Sequence, residues 1–352
     1  MGDDGIKTVT KKLRVVLTGD RNRLREAGLL AVIESFAHTA VSGVTAGVVE
    51  SSMVAEICEV IRECTHVVAV DLTVPGSDVS PIVSVDAIPD GGGYDDGEVD
   101  LAICFGGDGS VLRAAKRLRG TPIPVLAVNL GHLGFLADVA PEELASTLRE
   151  LCRTGIADRL HEHRMLRCRV VRENGTAGDG LGTIVESMVL NEVSVRAGAT
   201  LRMIDLSLAI DGETVAHYSG DGLILATPVG STAHSLAAGG PILRNTLDSV
   251  LICPLNPHTL TMRPVVDSAE REYVISVVKD AGMNVFVDGG LLDARTSVVV
   301  DGEVVARIGE GDRVEVTRAP YRFRTVTPPG HSYYRTLRAK LGWSGRFDTK
   351  KE

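Results

Sequence analysis

The chain has no excess of basic residues and no long apolar run. Its 352 residues include 37 Lys and Arg against 46 Asp and Glu, a formal net charge of −9. This charge argues against general binding of nucleic acid or of anionic membranes. No apolar stretch approaches the roughly 18 residues that span a bilayer, and the acidic residues 1–6 lack the basic start of a secretion signal. We therefore expect a cytoplasmic protein that binds neither membrane nor nucleic acid.

Cysteine pairs and clusters of metal ligands are also missing. None of the six cysteines forms a C-x-x-C pair, so we expect buried, reduced thiols and not a disulfide framework or zinc site. The segment His161-Glu162-His163 has no further ligand cluster nearby in the sequence, and a surface or packing role is the better interpretation. The sequence therefore predicts no metal-binding residues.

The first part of the chain alternates strand and helix patterns. Apolar runs typical of strands lie at residues 13–18, 44–49, 66–72, 101–104 and 124–128. Helical spacing occurs at residues 22–37, 53–64, 111–118 and 141–152. Asn22 is a suitable N-cap for the first helix, and residues 75–99 are expected to form a loop. The alternation predicts an α/β domain with a parallel sheet over residues 1–155.

After about residue 160 the pattern changes to short Val-, Ile- and Thr-rich runs between turn pairs. Asn-Gly or Asp-Gly pairs lie at residues 174–175, 179–180, 211–212, 288–289 and 301–302. Such pairs between apolar runs indicate β-hairpins, so residues 156–321 are predicted to form an antiparallel all-β domain. The Asp-Gly pairs are interpreted as turns and not as active-site carboxylates. Residues 333–343 have helical character, and residues 322–352 are expected to return to the first domain.

The segment Gly106-Gly107-Asp108-Gly109-Ser110 lies between a strand pattern and a helix pattern. Backbone N–H groups at such a turn, together with the partial positive charge of the helix N-terminus, bind phosphate. A loop that only holds an anion gains nothing from a carboxylate. Asp108 therefore indicates chemistry or metal handling beside a phosphate.

Three other segments interrupt the strand-and-turn pattern. Gly131 and Gly134 suggest close approach of the backbone to a ligand or a neighbouring loop. Asn191 and Glu192 interrupt an apolar strand, where they either face ribose hydroxyls or form a solvated strand face. Residues 220–241 read as a strand, a turn and a small-residue helix.

The start of that small-residue helix is a candidate ligand-binding position. Ser231 or Thr232 is suited to cap it, and its free N–H groups would then face a ligand. The density of small residues favours close contact with a ligand over a packing role alone.

These four segments, in this order, resemble the motifs of the NAD kinase family. The family motifs are G-G-D-G-[ST], N-x-G-x-L-G-F-L, L-N-E-V and D-G-x-x-x-x-T-P-x-G-S-T-A-Y. Residues 253–264 and 300–303 are similar to two further motifs, P-H-x-L…R-P and D-G-Q. The resemblance covers roughly residues 100–318. Each motif alone is weak evidence for the family, but several motifs in the same order are highly specific evidence for it.

The resemblance implies ATP-dependent phosphorylation of the adenosine-ribose 2′-hydroxyl of NAD, giving NADP. It implies that Asp108 deprotonates or orients that hydroxyl, and that a magnesium ion and a homodimer or homotetramer are involved. The implied phosphate contacts come from Gly106, Gly107, Gly109 and Ser110, with Arg113 in the same binding set. Asn191 and Glu192 would hold the ribose and adenine of NAD, and Asp221 would meet its nicotinamide end. Thr232 and Ala233 would line the adenine pocket, and His234 belongs to the same cofactor-binding set.

Two positions depart from the family pattern. Val229 stands where Thr or Ser is usual, and His234 stands where Tyr is usual. The departures bear on substrate preference and not on reaction class. Phosphofructokinases and diacylglycerol-type lipid kinases share the G-G-D-G-[ST] loop, and a non-catalytic NAD-binding regulator is a further alternative. The sequence leaves open whether polyphosphate replaces ATP, whether NADH is accepted, and which oligomer forms.

Overall fold

The computed structural model divides into two compact units, each with a buried core of its own. The first comprises Met1–His161 and Arg324–Glu352, and the second comprises Glu162–Phe323. The roles assigned from the sequence, phosphate binding in the first domain and NAD binding in the second, stay a prediction. The structure describes residues 13–27, 29–30, 33, 52–73, 82–83, 99–131, 134–172, 182–198, 203–280, 285–287, 290–292 and 295–343.

The first unit is built on a parallel sheet. Its strands, in spatial order, are β5 (Val125–Asn129), β4 (Leu101–Gly106), β1 (Leu13–Asp20), β2 (Thr65–Thr73) and β3 (Ile82–Val83). All neighbours run parallel except β3, which is antiparallel to β2. Every residue of β4 and β5 is buried, as expected of strands covered on both faces. The predicted parallel sheet is confirmed.

Amphipathic helices supply much of the core around this sheet. They are α1 (Arg21–Glu26), α2 (Ser52–Cys64), α3 (Asp108–Arg117) and α4 (Pro141–Thr154). Ile57 of α2 and Leu144 of α4 share one buried cluster with Phe105 and Leu126 of the sheet. The helices predicted at 53–64, 111–118 and 141–152 are confirmed. The helix predicted at 111–118, α3, begins at Asp108, earlier than predicted, because the first helical turn includes part of the glycine loop.

The predicted N-cap of the first helix is wrong. Asp20 occupies that position, and its Oδ1 accepts the backbone N–H groups of Asn22 (3.0 Å) and Arg23 (3.2 Å). The strand runs directly into the helix, so its last residue supplies the cap and Asn22 already lies inside the helix.

The first helix is also shorter than the predicted 22–37, because α1 ends at Glu26. Leu30 and Ile33 are again helical. The predicted strand at 44–49 and most of the predicted loop at 75–99 lie outside the described residues.

The second unit is an antiparallel β structure, as predicted. Its strands are β6 (Leu160–Arg172), β7 (Gly182–Val189), β8 (Glu192–Arg196), β9 (Ile204–Ile210), β10 (Glu213–Gly220), β11 (Gly222–Ala226), β12 (Ser249–Leu255), β13 (Val265–Ser268), β14 (Tyr273–Lys279), β15 (Val285–Val287), β16 (Gly290–Leu292), β17 (Thr296–Val300), β18 (Glu303–Ile308) and β19 (Arg313–Val326). One sheet has the order β13-β12-β11-β8-β17-β18, and a second set of strands pairs in the order β10-β9-β14-β19, with β6 paired to β19 and β7 paired to β6. Val193 and Leu225 of the first sheet share a core with Leu206 and Tyr273 of the other.

Two of the predicted Asp-Gly turns lie within the described residues and are confirmed. Asp211 and Gly212 connect β9 to β10 with φ of 50° and 83°. Asp301 and Gly302 connect β17 to β18 with φ of 48° and 86°. Positive φ at both central residues is the type I′ geometry that suits the twist of a hairpin. The pairs at 174–175, 179–180 and 288–289 lie outside the described residues.

The last helix of the described residues belongs to the first unit, as predicted. The helix α6 (Tyr333–Lys340) begins after Ser332, whose side chain accepts the N–H of Arg335. The Lys340 ammonium lies 4.9 Å from the centre of the Phe135 ring, within the distance of a cation–π contact. Among the described helices, none has the length and apolar character needed to cross a membrane.

Candidate active site

The glycine loop forms the turn between β4 and α3. Gly107 is the N-cap of α3 and supplies no side-chain acceptor to the first helical turn. Within that turn the N–H of Ser110 donates to the Gly107 carbonyl at 2.9 Å. Gly106 has φ of 146°, a conformation that only glycine adopts readily. A Cβ at Gly106 would also overlap with the Ser110 hydroxyl. The predicted strand–loop–helix arrangement is confirmed.

Arg113 connects this loop to the end of β1. One guanidinium nitrogen, Nη2, donates to Oδ2 of Asp20 and to Oγ of Ser110, both at 3.1 Å. The Ser110 side chain is buried beneath the loop. Arg113 therefore fixes the first turn of α3, and its predicted contact with a substrate stays a prediction.

The Asp108 carboxylate is held by the backbone that follows β5. Its Oδ2 accepts the N–H of Phe135 at 2.9 Å, and its Oδ1 accepts those of Leu136 and Ala137 at 3.0 and 3.1 Å. Hydrogen bonds to an ionised acceptor are short and strong. They fix the orientation of the one carboxylate in the glycine loop.

Gly134 makes this contact possible. A Cβ at Gly134 would overlap with Oδ1 of Asp108 and would lie 2.9 Å from the carbonyl oxygen of Ala137. Asn129 closes the same loop, because its Nδ2 donates to that carbonyl and its Oδ1 accepts the N–H of Gly131. The prediction that these glycines permit close approach is confirmed at Gly134, and the neighbour is the loop containing Asp108.

Asn191 lies at a corner between two strands. β7 ends at Val189 and β8 begins at Glu192, so the single strand that was predicted is two strands with a turn between them. The chain turns there because the Asp301 carboxylate accepts the backbone N–H groups of Leu190, Asn191 and Glu192.

Glu192 is buried and not on a solvated strand face, with only 7 % of its surface exposed. Its Oε2 has no hydrogen-bond partner. Burial, reinforced by the negative charge of Asp301, raises the pKa of Glu192 to about 7, while the backbone N–H of His234 and the charge of Arg196 oppose the rise. A buried carboxylate oxygen without a partner is costly, which makes it a candidate acceptor for a ligand hydroxyl.

The segment after β11 is packed against this corner. The N–H of Thr227 donates to the Asn191 carbonyl at 2.8 Å, and the Thr227 hydroxyl donates to the Leu190 carbonyl at 2.6 Å. A Cβ at Gly230 would overlap with the Asn191 carbonyl oxygen and would lie 2.7 Å from its Cα. Gly230 is therefore needed for the contact between the two segments.

The predicted helix caps in this segment are wrong. The chain forms a 3-10 turn at Gly230–Thr232 and the short helix α5 (His234–Ala237), neither with a side-chain cap. The Ser231 hydroxyl donates to the Pro228 carbonyl and accepts the N–H of Leu243. Both hydroxyls are used in local bonds that close the turn, since that of Thr232 donates to the Val229 carbonyl.

The remaining predicted residues lie in the same unit. His234 follows Ala233 directly, and burial, followed by the charge of Arg196, lowers the pKa of the His234 imidazole. The Asp221 carboxylate is exposed, and its Oδ2 accepts Nδ2 of Asn256 at 2.7 Å. Val229, one of the two departures from the family pattern, has a buried side chain.

Two aspartates to which the sequence assigned no role in the site lie near these residues. Asp301 was interpreted as a turn residue within the stretch similar to the D-G-Q motif, and its Asp-Gly pair alone does not distinguish it from Asp211. Asp138 follows the segment that holds Asp108, and its Oδ2 lies 3.1 Å from Nδ1 of His331. Burial, with smaller contributions from Asp108 and Glu143, raises the pKa of Asp138 to about 7.

Comparison with known proteins identifies the chain. The family model for the ATP-NAD kinase N-terminal domain matches residues 40–156, and that for the C-terminal domain matches residues 190–327. The NAD kinase of Rhodopirellula baltica is 43 % identical over 253 residues, which cover 72 % of this chain and 75 % of the relative. The chain belongs to the NAD kinase family. It catalyses the ATP-dependent phosphorylation of NAD to NADP, which decides between the kinase classes and the non-catalytic regulator considered above.

Two solved structures share the fold of this kinase. The match to yeast NADH kinase in complex with NADH covers 97 % of this chain and 91 % of the yeast chain, with a TM-score of 0.66. The match to an NAD kinase from Archaeoglobus fulgidus in complex with ATP covers 94 % of this chain and 99 % of the archaeal chain, with a TM-score of 0.59. Both are 20 % identical in sequence, so they establish the fold alone.

The contact between Gly230 and Asn191 gives a first prediction. The Gly230→Ala substitution should raise the KM for NAD at least tenfold or destabilise the protein, because the methyl group meets backbone atoms that cannot rotate away. Gly182→Ala is the matched control, since a Cβ there meets nothing within 4 Å. Steady-state kinetics and thermal melts of both variants test this. Unchanged kinetics and stability in Gly230→Ala would contradict the packing described.

Proposed function

We propose that Asp108 orients the 2′-hydroxyl of the adenosine ribose and accepts its proton during phosphoryl transfer. The observation that carries this proposal is the fixed carboxylate. A carboxylate offers about four acceptor sites, and backbone N–H groups from residues 135–137 use three of them here. One site remains for a substrate hydroxyl, and the carboxylate has lost the freedom to turn away from it. Orientation of a reacting group that is fixed before the reaction is a main source of catalysis in phosphoryl transfer.

The glycine loop then has the role of holding phosphate. The N–H groups of Gly106, Gly107, Gly109 and Ser110 are proposed donors to phosphate oxygens, with Arg113 as the nearby positive charge. The glycine N-cap of α3 supports this assignment, since it leaves the first helical turn without a side-chain acceptor. Helix N-termini favour anions for the same reason.

The second unit supplies the proposed contacts to NAD. Asn191 and Glu192 hold the ribose and adenine, and the unpartnered Oε2 of Glu192 supports this assignment. Thr232, Ala233 and His234 line the adenine pocket. Asp221 is proposed to meet the nicotinamide end.

Magnesium is proposed to enter with the nucleotide. Within the described residues, no group of three or more His, Cys, Asp or Glu side chains is arranged to hold a metal ion. Mg²⁺ commonly relies on substrate phosphates, waters and one or two carboxylates. The residues present therefore fit a cation held mainly by the phosphates of ATP, where it neutralises their charge.

The assembly and the compartment belong to the same proposal. We propose a homodimer or homotetramer, on the basis of the resemblance to the family. We also propose a cytoplasmic location, which is supported by Cys64, Cys152, Cys168 and Cys253, thiols outside any disulfide in the described part of the chain.

Replacing Asp108 separates catalysis from binding. In Asp108→Asn, kcat should fall at least a hundredfold, because a general base contributes about 10²–10⁴-fold to rate. NAD binding should remain measurable by isothermal titration calorimetry. The kcat of NADP formation from NAD and ATP with magnesium is the second measurement.

Asp100→Asn is the matched control for this experiment. Asp100 lies at the opposite end of β4 and also accepts a backbone N–H, that of Arg14 at 2.8 Å. Its replacement should leave kcat within about twofold, because surface ion pairs contribute little. Near-normal turnover in Asp108→Asn would refute the role of base.

The glycine loop gives a second prediction of this proposal. In Gly107→Ala the KM for ATP should rise about tenfold, which corresponds to about 1.4 kcal/mol, while the melting temperature stays unchanged. A Cβ at Gly107 meets no atom of the protein within 4 Å, so it interferes only with a ligand at the helix N-terminus. Gly309→Ala is the control, since the nearest atom to its Cβ is 4.0 Å away. Equal KM values for ATP in the two variants would contradict phosphate binding at Gly107.

A further inference from the structure

The Asp301 carboxylate holds three consecutive backbone N–H groups of the corner that contains Asn191 and Glu192. Oδ2 accepts the N–H of Leu190 at 3.0 Å, and Oδ1 accepts those of Asn191 and Glu192 at 2.7 and 3.2 Å. The N–H of Asp301 in turn donates to the Glu192 carbonyl at 3.0 Å. The turn and the corner are therefore tied in both directions.

The hairpin turn itself does not require these bonds. Asp211 has the same turn conformation, with φ of 50° against 48° at Asp301. Its carboxylate contacts the segment that leads into β14 and not the Asn191 corner, accepting Arg271 at 2.7 Å and the N–H of Glu272 at 2.9 Å. The same turn therefore forms with different partners, and the partners of Asp301 include the two residues proposed to hold NAD.

Asp301 also places a negative charge beside the buried Glu192. The groups that act on the Glu192 carboxylate are Asp301 from the β17–β18 turn, Arg196 from β8, and the backbone N–H of His234. Burial and Asp301 together raise the pKa of Glu192 to about 7, whereas His234 and Arg196 lower it. Removal of the Asp301 charge should therefore move this pKa downward.

We propose that Asp301 is a positioning residue for NAD: its carboxylate sets the backbone of residues 190–192 and thereby the orientation of Asn191 and Glu192 toward the substrate. The inference rests on the proposed function of those two residues. Asp301 itself need not touch NAD. Its effect is on substrate affinity through the corner that it holds.

The test compares Asp301→Asn and Asp301→Gly with Asp211→Asn and Asp211→Gly. Asn and Gly both tolerate positive φ, so each pair preserves the turn and alters the carboxylate. We expect the Asp301 variants to raise the KM for NAD at least tenfold while the KM for ATP changes less than twofold. The Asp211 variants should leave both KM values unchanged.

A pH profile separates positioning from simple loss of structure. An ionised Glu192 accepts hydroxyl hydrogen bonds best, so the KM for NAD of the unmodified enzyme should fall as the pH rises through about 7. In Asp301→Asn the midpoint of this fall should move to lower pH, because a neighbouring negative charge is gone. A merely structural defect would raise the KM at every pH without moving the midpoint.

The Asn191→Ala variant distinguishes failure of this inference from failure of the proposed function. If Asn191→Ala leaves the KM for NAD unchanged, the proposed role of the corner fails, and the inference fails with it. If Asn191→Ala raises that KM but the Asp301 variants behave like the Asp211 variants, only the inference is overturned. Unfolding of both Asp301 variants under conditions in which the Asp211 variants fold would also overturn it, since Asp301 would then be a stability residue.

Discussion

The capture of backbone N–H groups by aspartate carboxylates is the interaction on which the candidate site depends. The amides of residues 135–137, in a loop, and of residues 190–192, at the start of β8, are bound by side chains. Asp108 satisfies three of these amides in the first unit, and Asp301 satisfies three in the second. Since an unpaired polar group in a partly buried segment is costly, each carboxylate determines the conformation of its segment. In Asp108 the same group is also proposed to act on the substrate.

The candidate site also depends on close backbone contacts at two glycines. Gly134 lets the 134–137 segment reach Asp108, and Gly230 lets the segment after β11 reach Asn191. In both places a single methyl group would occupy the position of an oxygen that the arrangement uses. The small residues of the sequence motifs therefore serve contacts within the protein as well as space for a ligand. This explains why the hydroxyls of Ser231 and Thr232 close a turn and do not cap a helix.

Much of the fold follows from local sequence patterns, and the errors have local physical causes. The parallel sheet was predicted from alternating apolar runs and helical spacing, and the hairpins from Asp-Gly pairs. The N-cap was assigned to Asn22 instead of Asp20 because the sequence does not show that β1 runs directly into α1. The corner at Asn191 was read as a strand because the apolar residues continue on both sides of it. Only a partner that lies 110 positions away, Asp301, turns the chain there.

The sequence by itself determined the order of the motifs, and with it the family and the reaction. It also determined the glycine loop, because a strand, a glycine turn and a helix are coded by neighbouring residues. Tertiary structure alone decided which carboxylates hold which amides. Asp211 and Asp301 have the same local pattern and nearly the same turn, yet only Asp301 contacts the Asn191 corner. That difference arises from sheet pairing, which places β8 beside β17. The residues of either turn do not determine how distant strands pair.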